Sequence, residues 1–154
     1  MTKNSDTQSQ NVRSSARPAG RLLALDLGAR RVGVAVCDEL RLAVRPLPPL
    51  ARAGWKQLLR EIAALCQSFD AKGVVVGLPV NLDGTEGEAA QEARRIARNL
   101  SLSLSLPVHL QDERLTSRDA EQALRSAGAT GPEVSARIDG EAAALILSDF
   151  LAKG

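Results

Sequence analysis

An α/β domain with a mixed five-stranded sheet and helices on both faces is the fold class this sequence predicts. Three observations lead there. Two short apolar runs, residues 22–27 and 32–37, flank a tight turn at 28–31 and read as a hairpin. Later short runs at 73–77 and 108–111 alternate with stretches whose apolar residues fall at helical spacing. A leading antiparallel meander followed by βα units gives a mixed sheet.

The elements follow in order. Residues 1–20 are polar, rich in Ser, Gln and Asn, and carry Arg13 and Arg17; they bury too little to order and are expected to be a disordered arm. The domain proper is expected over 21–151. Leu22 to Leu27 is the first strand and the centre of the plan, because its apolar run carries a single carboxylate, Asp26, just before Gly28. A buried carboxylate is costly unless it is paired or holds a cation. Val32 to Cys37 is the second strand. Leu42 to Leu47 adds a third, which Pro46, Pro48 and Pro49 should end, since proline cannot feed a ladder. From Trp55 to Phe69, Leu58, Leu59, Ile62, Ala63, Leu65 and Cys66 keep helical spacing, with Trp55 as a packing residue at the start.

Gly73 to Gly77 is a short β-branched strand, followed by a loop from Leu78 to Gly87. Glu88 to Leu100 reads as a helix with Ala89, Ala93, Ile96, Ala97 and Leu100 on its apolar face. Leu100, Leu102, Leu104 and Leu106 then alternate with Ser, a strand-like period that blurs its end. Val108 to Gln111 is the last strand, with Asp112 and Glu113 placed just past it. Ser117 can cap a helix that Gly128 stops. Gly128 to Arg137 is expected to be a flexible loop, and Asp139 to open the final helix.

Composition sets the class. The chain has 154 residues, enough for one domain with a core and too few for two. Aromatic residues are only 2 %, so the core must be aliphatic, and base stacking is not expected at the basic surface. The net charge of +2 permits nucleic acid as a partner without demanding it. Cys37 and Cys66 have no CxxC spacing and read as buried thiols in a reducing compartment. No apolar run approaches the roughly 20 residues of a membrane span, and the N-terminus has no apolar signal region. No membrane contact and a cytoplasmic location are therefore expected.

Three acidic stretches can converge on the sheet edge where strand ends and helix starts gather. They are Asp26, the pair Asp112 and Glu113, and Asp139. Carboxylates with open water positions suit Mg²⁺ or Mn²⁺. Two such ions can activate water and stabilise the leaving oxygen of a phosphodiester. Taken singly, Asp112 is equally a turn residue and Asp139 a helix cap; taken together, in this strand order, they favour a site. Arg30, Arg31, Arg114, Arg118 and Arg137 stand near the same edge. Such a ring suits a polyanion, and weighs equally with ordinary surface pairs such as Arg137 with Glu141. His109 is a lone strand residue, for which no catalytic role is expected.

The stretches ALDLGARRVGVAV, VVVGLPVNLDGTEG, DERLTS and IDGEAAALIL occur here in an order that resembles the YqgF/RuvX family, over about residues 21–151. That resemblance implies an RNase H-like fold and a nuclease linked to pre-16S rRNA 5′-end processing or to Holliday-junction resolution. Its acidic triad falls on Asp26, Glu113 and Asp139, which would be both catalytic and metal-holding. Asn81, Asp83, Gly84 and Thr85 match its loop after the fourth strand, and Arg114 and Thr116 match the rest of the DERLT motif. Many members of the wider RNase H-like superfamily carry an acid at the end of the fourth strand. Here Gly77-Leu78-Pro79 stands there, so the second carboxylate must come from the next strand. The partner implied is structured RNA or branched DNA, and the protein is expected as a monomer or weak homodimer. Two other classes fit less well. Asp-Leu-Gly before a hairpin also resembles the phosphate turn of actin-like ATPases and sugar kinases, which need two such domains. A binding module without catalysis would not need all three acids.

Overall fold

The structure, a computed structural model, describes residues 20–114 and 131–153. Its elements are β1 (Arg21–Leu27), β2 (Arg31–Cys37), β3 (Val44–Ala51), α1 (Trp55–Ser68), β4 (Ala71–Val80), α2 (Glu88–Leu104), β5 (Val108–Arg114) and α3 (Pro132–Ala152). The arm expected over residues 1–20 lies outside the described residues except for Gly20, and so does the helix expected from Ser117.

The sheet has five strands in the order β3-β2-β1-β4-β5. β1 pairs antiparallel with β2 and β2 with β3, whereas β4 runs parallel to both β1 and β5. β1 is therefore the centre of the sheet, and its residues Leu22 to Leu25 are buried. The C-terminal ends of β1, β4 and β5 share one edge, as parallel pairing requires. Helices cover both faces as expected. On one face α1 and α2 pack Leu58, Ile62, Ile96 and Leu100 against Leu23, Leu25, Val34 and Val76. On the other, α3 packs Ala143, Ile146 and Leu147 against Leu22, Ala24, Ala35 and Val75.

The α3 face is lined with small residues because the helix lies close. A Cβ on Gly33 would run into the backbone carbonyl of Asp139, and one on Gly77 would lie 2.5 Å from Cδ1 of Ile146. From the helix side, a Cβ on Gly140 would come within 2.9 Å of Pro46. These contacts set the height of α3 above β1 and β2, and with it the position of Asp139.

Several boundaries differ from expectation. β3 keeps its three prolines, because it is the edge strand and has only β2 to bond. Val32 pairs with Leu50 and Val34 with Leu47, so β3 absorbs one extra residue around Pro48 and Pro49. β4 continues through Leu78, Pro79 and Val80; its pairing with β1 stops at Val76, so Pro79 meets a partner only in β5. α2 runs on to Leu104: Leu100 is buried and Leu104 packs on the core, while Leu102 is exposed, which is a helical period. Ser105, with φ +57°, ends it in the left-handed conformation. β5 extends to Arg114, which places Asp112 and Glu113 inside the strand. Finally, α3 begins at Pro132 after Gly131, not at Asp139; the fixed φ of proline suits a first helical position. Residues 132–137 are thus helical rather than loop.

Candidate active site

Asp26 sits near the C-terminal end of β1, opposite Gly33 of β2. Leu22 and Ala24 pack under α3, so Asp26 shares their face by strand alternation. It is 8 % exposed, one of two buried polar or charged side chains among the described residues. The other is Gln111, on β5.

On β5 the ring of His109 lies 5.0 Å from that of Phe150 on α3, a packing role. Residues 109, 111 and 113 therefore face α3 together. Glu113 reaches this face from the C-terminal end of β5. Burial first, then a hydrogen bond and charge from Asp149, then the charges of Asp26 and Asp112, push its carboxyl up to about 8. One of its oxygens, Oε1, is buried with no hydrogen-bond partner, as is Oε1 of Gln111. Asp112 takes the opposite face, is exposed, and lies 3.5 Å from the Arg114 guanidinium.

Asp139 comes to the site from inside α3. Its Oδ2 accepts from Nε of Arg31 at 2.5 Å, and its side chain is 13 % exposed. The hairpin residue expected to hold phosphate thus binds an acid expected to hold metal. Glu113 feels the charges of both Asp26 and Asp149. Among the described residues, no three His, Cys, Asp or Glu side chains are grouped closely enough to hold a metal ion. The donor chemistry nevertheless fits a hard cation: all donors are oxygen, and the buried Glu113 Oε1 is an acceptor with no protein donor.

The loop after β4 is held by its own polar atoms. Asn81 Nδ2 donates to Thr85 Oγ1 at 2.9 Å, and Thr85 Oγ1 donates to Asp83 Oδ1 at 2.7 Å. Those contacts hold the Asp83 carboxyl below its usual range. Gly84, at φ +90°, makes the turn. Arg114 Nη1 donates to the Asn81 carbonyl at 3.0 Å, tying the loop to β5 beside Glu113. Arg30 is exposed in the β1–β2 turn and Arg137 is exposed on α3; no ion pair joins Arg137 to Glu141 among the described residues. Thr116 and Arg118 lie outside the described residues.

Two residues of this edge were missed by reading the sequence. Asp149 falls one turn beyond Ile146 on the helix stripe that crosses β4, a spacing that was available as a signal. Arg52 had none. Its Nη1 donates to the Gly28 carbonyl at 2.8 Å, its Nη2 pairs with Glu92 of α2 at 2.9 Å, and its N–H donates to the Arg30 carbonyl at 2.8 Å. It clips the turn after Asp26 to α2.

The family described as "RuvX: Holliday junction resolvase" matches residues 20–153. The chain belongs to this family. It is 42 % identical over 131 residues to an Anaeromyxobacter dehalogenans protein named "Putative pre-16S rRNA nuclease", covering 85 % of this chain and 96 % of that one. A Synechococcus elongatus protein of the same name is 39 % identical over 129 residues, covering 84 % and 87 %. Among solved structures, Thermus thermophilus RuvC in complex with a Holliday junction substrate superposes with a TM-score of 0.52 at 16 % identity, over 88 % of this chain and 96 % of that one. At that identity the likeness is one of fold, and the fold is RNase H-like. Within this chain, Asp26, the loop from Asn81 to Thr85 and Glu113 lie at the C-terminal edge of β1, β4 and β5, and Asp139 lies on α3 above it. No helix among the described residues is long and apolar enough to cross a membrane.

Proposed function

We propose that this RuvX-family chain is a metal-dependent nuclease that hydrolyses phosphodiester bonds, with the 5′ end of pre-16S rRNA as its substrate. The observation that carries the reading is the crowding of Glu113 against Asp26 and Asp149, with Glu113 Oε1 buried and unbonded. Carboxylates held this close oppose folding unless protons or cations relieve them, so such an arrangement is retained for chemistry. Asp26, Glu113 and Asp139 would hold Mg²⁺ or Mn²⁺. When bound, such an ion supplies water activation and charge neutralisation at the leaving oxygen.

The chain's own residues do the rest. Glu113 and Asp26 would offer carboxylate oxygens to the ion, and Asp139, held by Arg31, would offer a third. Arg30, Arg31 and Arg137 would bind phosphate oxygens as charge-assisted donors. Asn81, Thr85 and Arg114 offer polar groups on the β4–α2 side, with Thr116 and Arg118 beyond β5. The protein works as a monomer or weak homodimer in the cytoplasm. The family description favours a second substrate, a four-way DNA junction.

Two labelled substrates decide between them: a pre-16S rRNA 5′-leader fragment and a four-way DNA junction. Each is incubated with EDTA, Mg²⁺ or Mn²⁺, using wild type and Asp26→Asn. Metal-dependent cutting of the RNA, lost in the variant, is the expected result. Preferential cutting of the junction selects the second substrate. Binding without cutting under either metal overturns the nuclease reading.

A further inference from the structure

A groove lies between the start of α1 and the outer side of α2, on the sheet face away from α3. Its volume is about 200 Å³. Trp55 forms one wall, Leu58 and Ile96 form an apolar floor, and Asn99 and Arg95 stand at the α2 side. Leu58 and Ile96 are 2 % and 6 % exposed, whereas Trp55 and Asn99 are half-buried. The Arg95 side chain is 63 % exposed and only loosely engaged, 3.9 Å from Glu92. Arg52 also lines the groove, and it is the residue bonded to the Gly28 carbonyl, two positions past Asp26. The groove and the Asp26 turn therefore share a side chain.

The lining has a specific chemistry: one aromatic face, an aliphatic floor, one side-chain amide, the Arg52–Glu92 ion pair and the accessible Arg95 guanidinium, so two guanidiniums face one carboxylate. The volume falls below the roughly 300 Å³ at which pockets for drug-sized ligands begin. It suits a single flat heterocycle. An unpaired base can stack on an indole, hydrogen-bond its edge to an amide, and leave its phosphate to an arginine. A base inside a duplex offers none of this.

We propose that this groove binds one unpaired nucleobase of the substrate strand, stacked on Trp55, edge-bonded to Asn99 and with its phosphate on Arg95. The proposal rests on the nuclease reading and sharpens its substrate class to nucleic acid with a single-stranded segment beside the cut. Trp55 is the chain's only Trp and there is no Tyr, so the intrinsic fluorescence reports this groove alone.

The full chain is titrated in EDTA, which prevents cleavage, with an end-labelled single-stranded RNA oligonucleotide and with the same sequence as a duplex. Trp emission and label anisotropy are read together. Saturable quenching by the single strand is expected, with duplex binding that leaves the emission unchanged. Asn99→Ala and Trp55→Ala should each weaken single-strand binding about ten-fold, a stacking-sized effect. Trp55→Phe, which keeps an aromatic wall, should recover most of the affinity and guards against a folding defect in Trp55→Ala. Binding of the single strand with no change in emission overturns the proposal, as does equal quenching by the duplex or no binding at all. Because no metal is present, these results stand apart from the Asp26→Asn cleavage test.

Discussion

Arg31 of β2 and Asp139 of α3, 108 residues apart in sequence, are joined by an ion pair of 2.5 Å. The acid expected to complete a metal site is thus held by a guanidinium on the central hairpin. The pair fixes α3 across β2 as well as occupying Asp139. Removing Arg31 leaves the Asp139 carboxylate largely covered and stripped of a strong donor. A fully buried pair would lose more, but Arg31 is 35 % exposed and water can reach the vacancy. Arg31→Ala should therefore cost about 1–2 kcal/mol. Urea unfolding of Arg31→Ala, Asp139→Asn and the double variant checks this. The two single losses should exceed the double loss when summed, because either change alone already breaks the shared ion pair.

The pH dependence of stability carries a sign set by Glu113. Its carboxyl is raised from 4.5 to about 8 in the fold, with burial as the main cause. Below pH 4.5 both the folded and unfolded states hold the proton, and the contribution of Glu113 is fully present. As pH climbs, the unfolded chain ionises first, so the contribution declines and is lost as pH passes about 8. Denaturation midpoints measured from about pH 5 to 8 should fall for wild type. Glu113→Gln cannot ionise and should flatten that part of the curve. Added Mn²⁺ should raise the wild-type midpoint at the alkaline end and raise that of Glu113→Gln less, since the variant keeps only Asp26 and Asp139 as carboxylate ligands.

Gly33 is where α3 comes down on the sheet. A methyl there would meet the Asp139 carbonyl, which is backbone and cannot rotate away. Gly33→Ala should destabilise by about 1–3 kcal/mol through overpacking. The helix must rise, and Asp139 rises with it. Thermal unfolding gives the loss. The ratio of cleavage rates for Gly33→Ala and wild type, taken well below both melting points, should show a further drop that stability does not explain.

The sequence reveals those features whose cause is local. The β1–β2 hairpin is legible because apolar runs stop at Gly28 and resume after Arg31, and Asp26 stands out as the one charge in its run. Glu113 is legible through the family resemblance. The existence of β3 is legible too, but its run through three prolines is not, because the rule against proline in strands holds for interior strands, and only the assembled sheet shows that β3 is an edge. The end of α2 is ambiguous for a related reason. Leu-Ser alternation fits either period until the exposure of Leu102 rules out a strand. Asp139 carries capping chemistry that suggests a helix start there, but Gly131-Pro132 carries the stronger signal, and α3 starts at Pro132. Asp149 lies at helical spacing from Ile146, a signal the sequence carries, whereas Arg52 depends on which elements meet, and no local pattern marks that.

Arg52 is the residue on which such a meeting depends. Its guanidinium forks between the Gly28 carbonyl and the Glu92 carboxylate, with a side chain only 18 % exposed. Lysine carries the charge but cannot reach two acceptors with that planar geometry. Arg52→Ala should cost about 1–2 kcal/mol, the scale of one charged hydrogen bond in a half-buried setting. More telling is where the loss appears. Gly28 N–H donates to the Arg31 carbonyl at 2.9 Å inside the turn that Arg52 clips. Amide hydrogen exchange over residues 28–31 should accelerate in Arg52→Ala and in Arg52→Lys, while exchange in the α3-facing strand β5 stays as in wild type. If instead the whole sheet exchanges faster in step, Arg52 is a general structural brace rather than the anchor of the Asp26 turn. A selective change predicts that kcat falls more than KM rises, because the turn positions Asp26 and does not itself hold the strand.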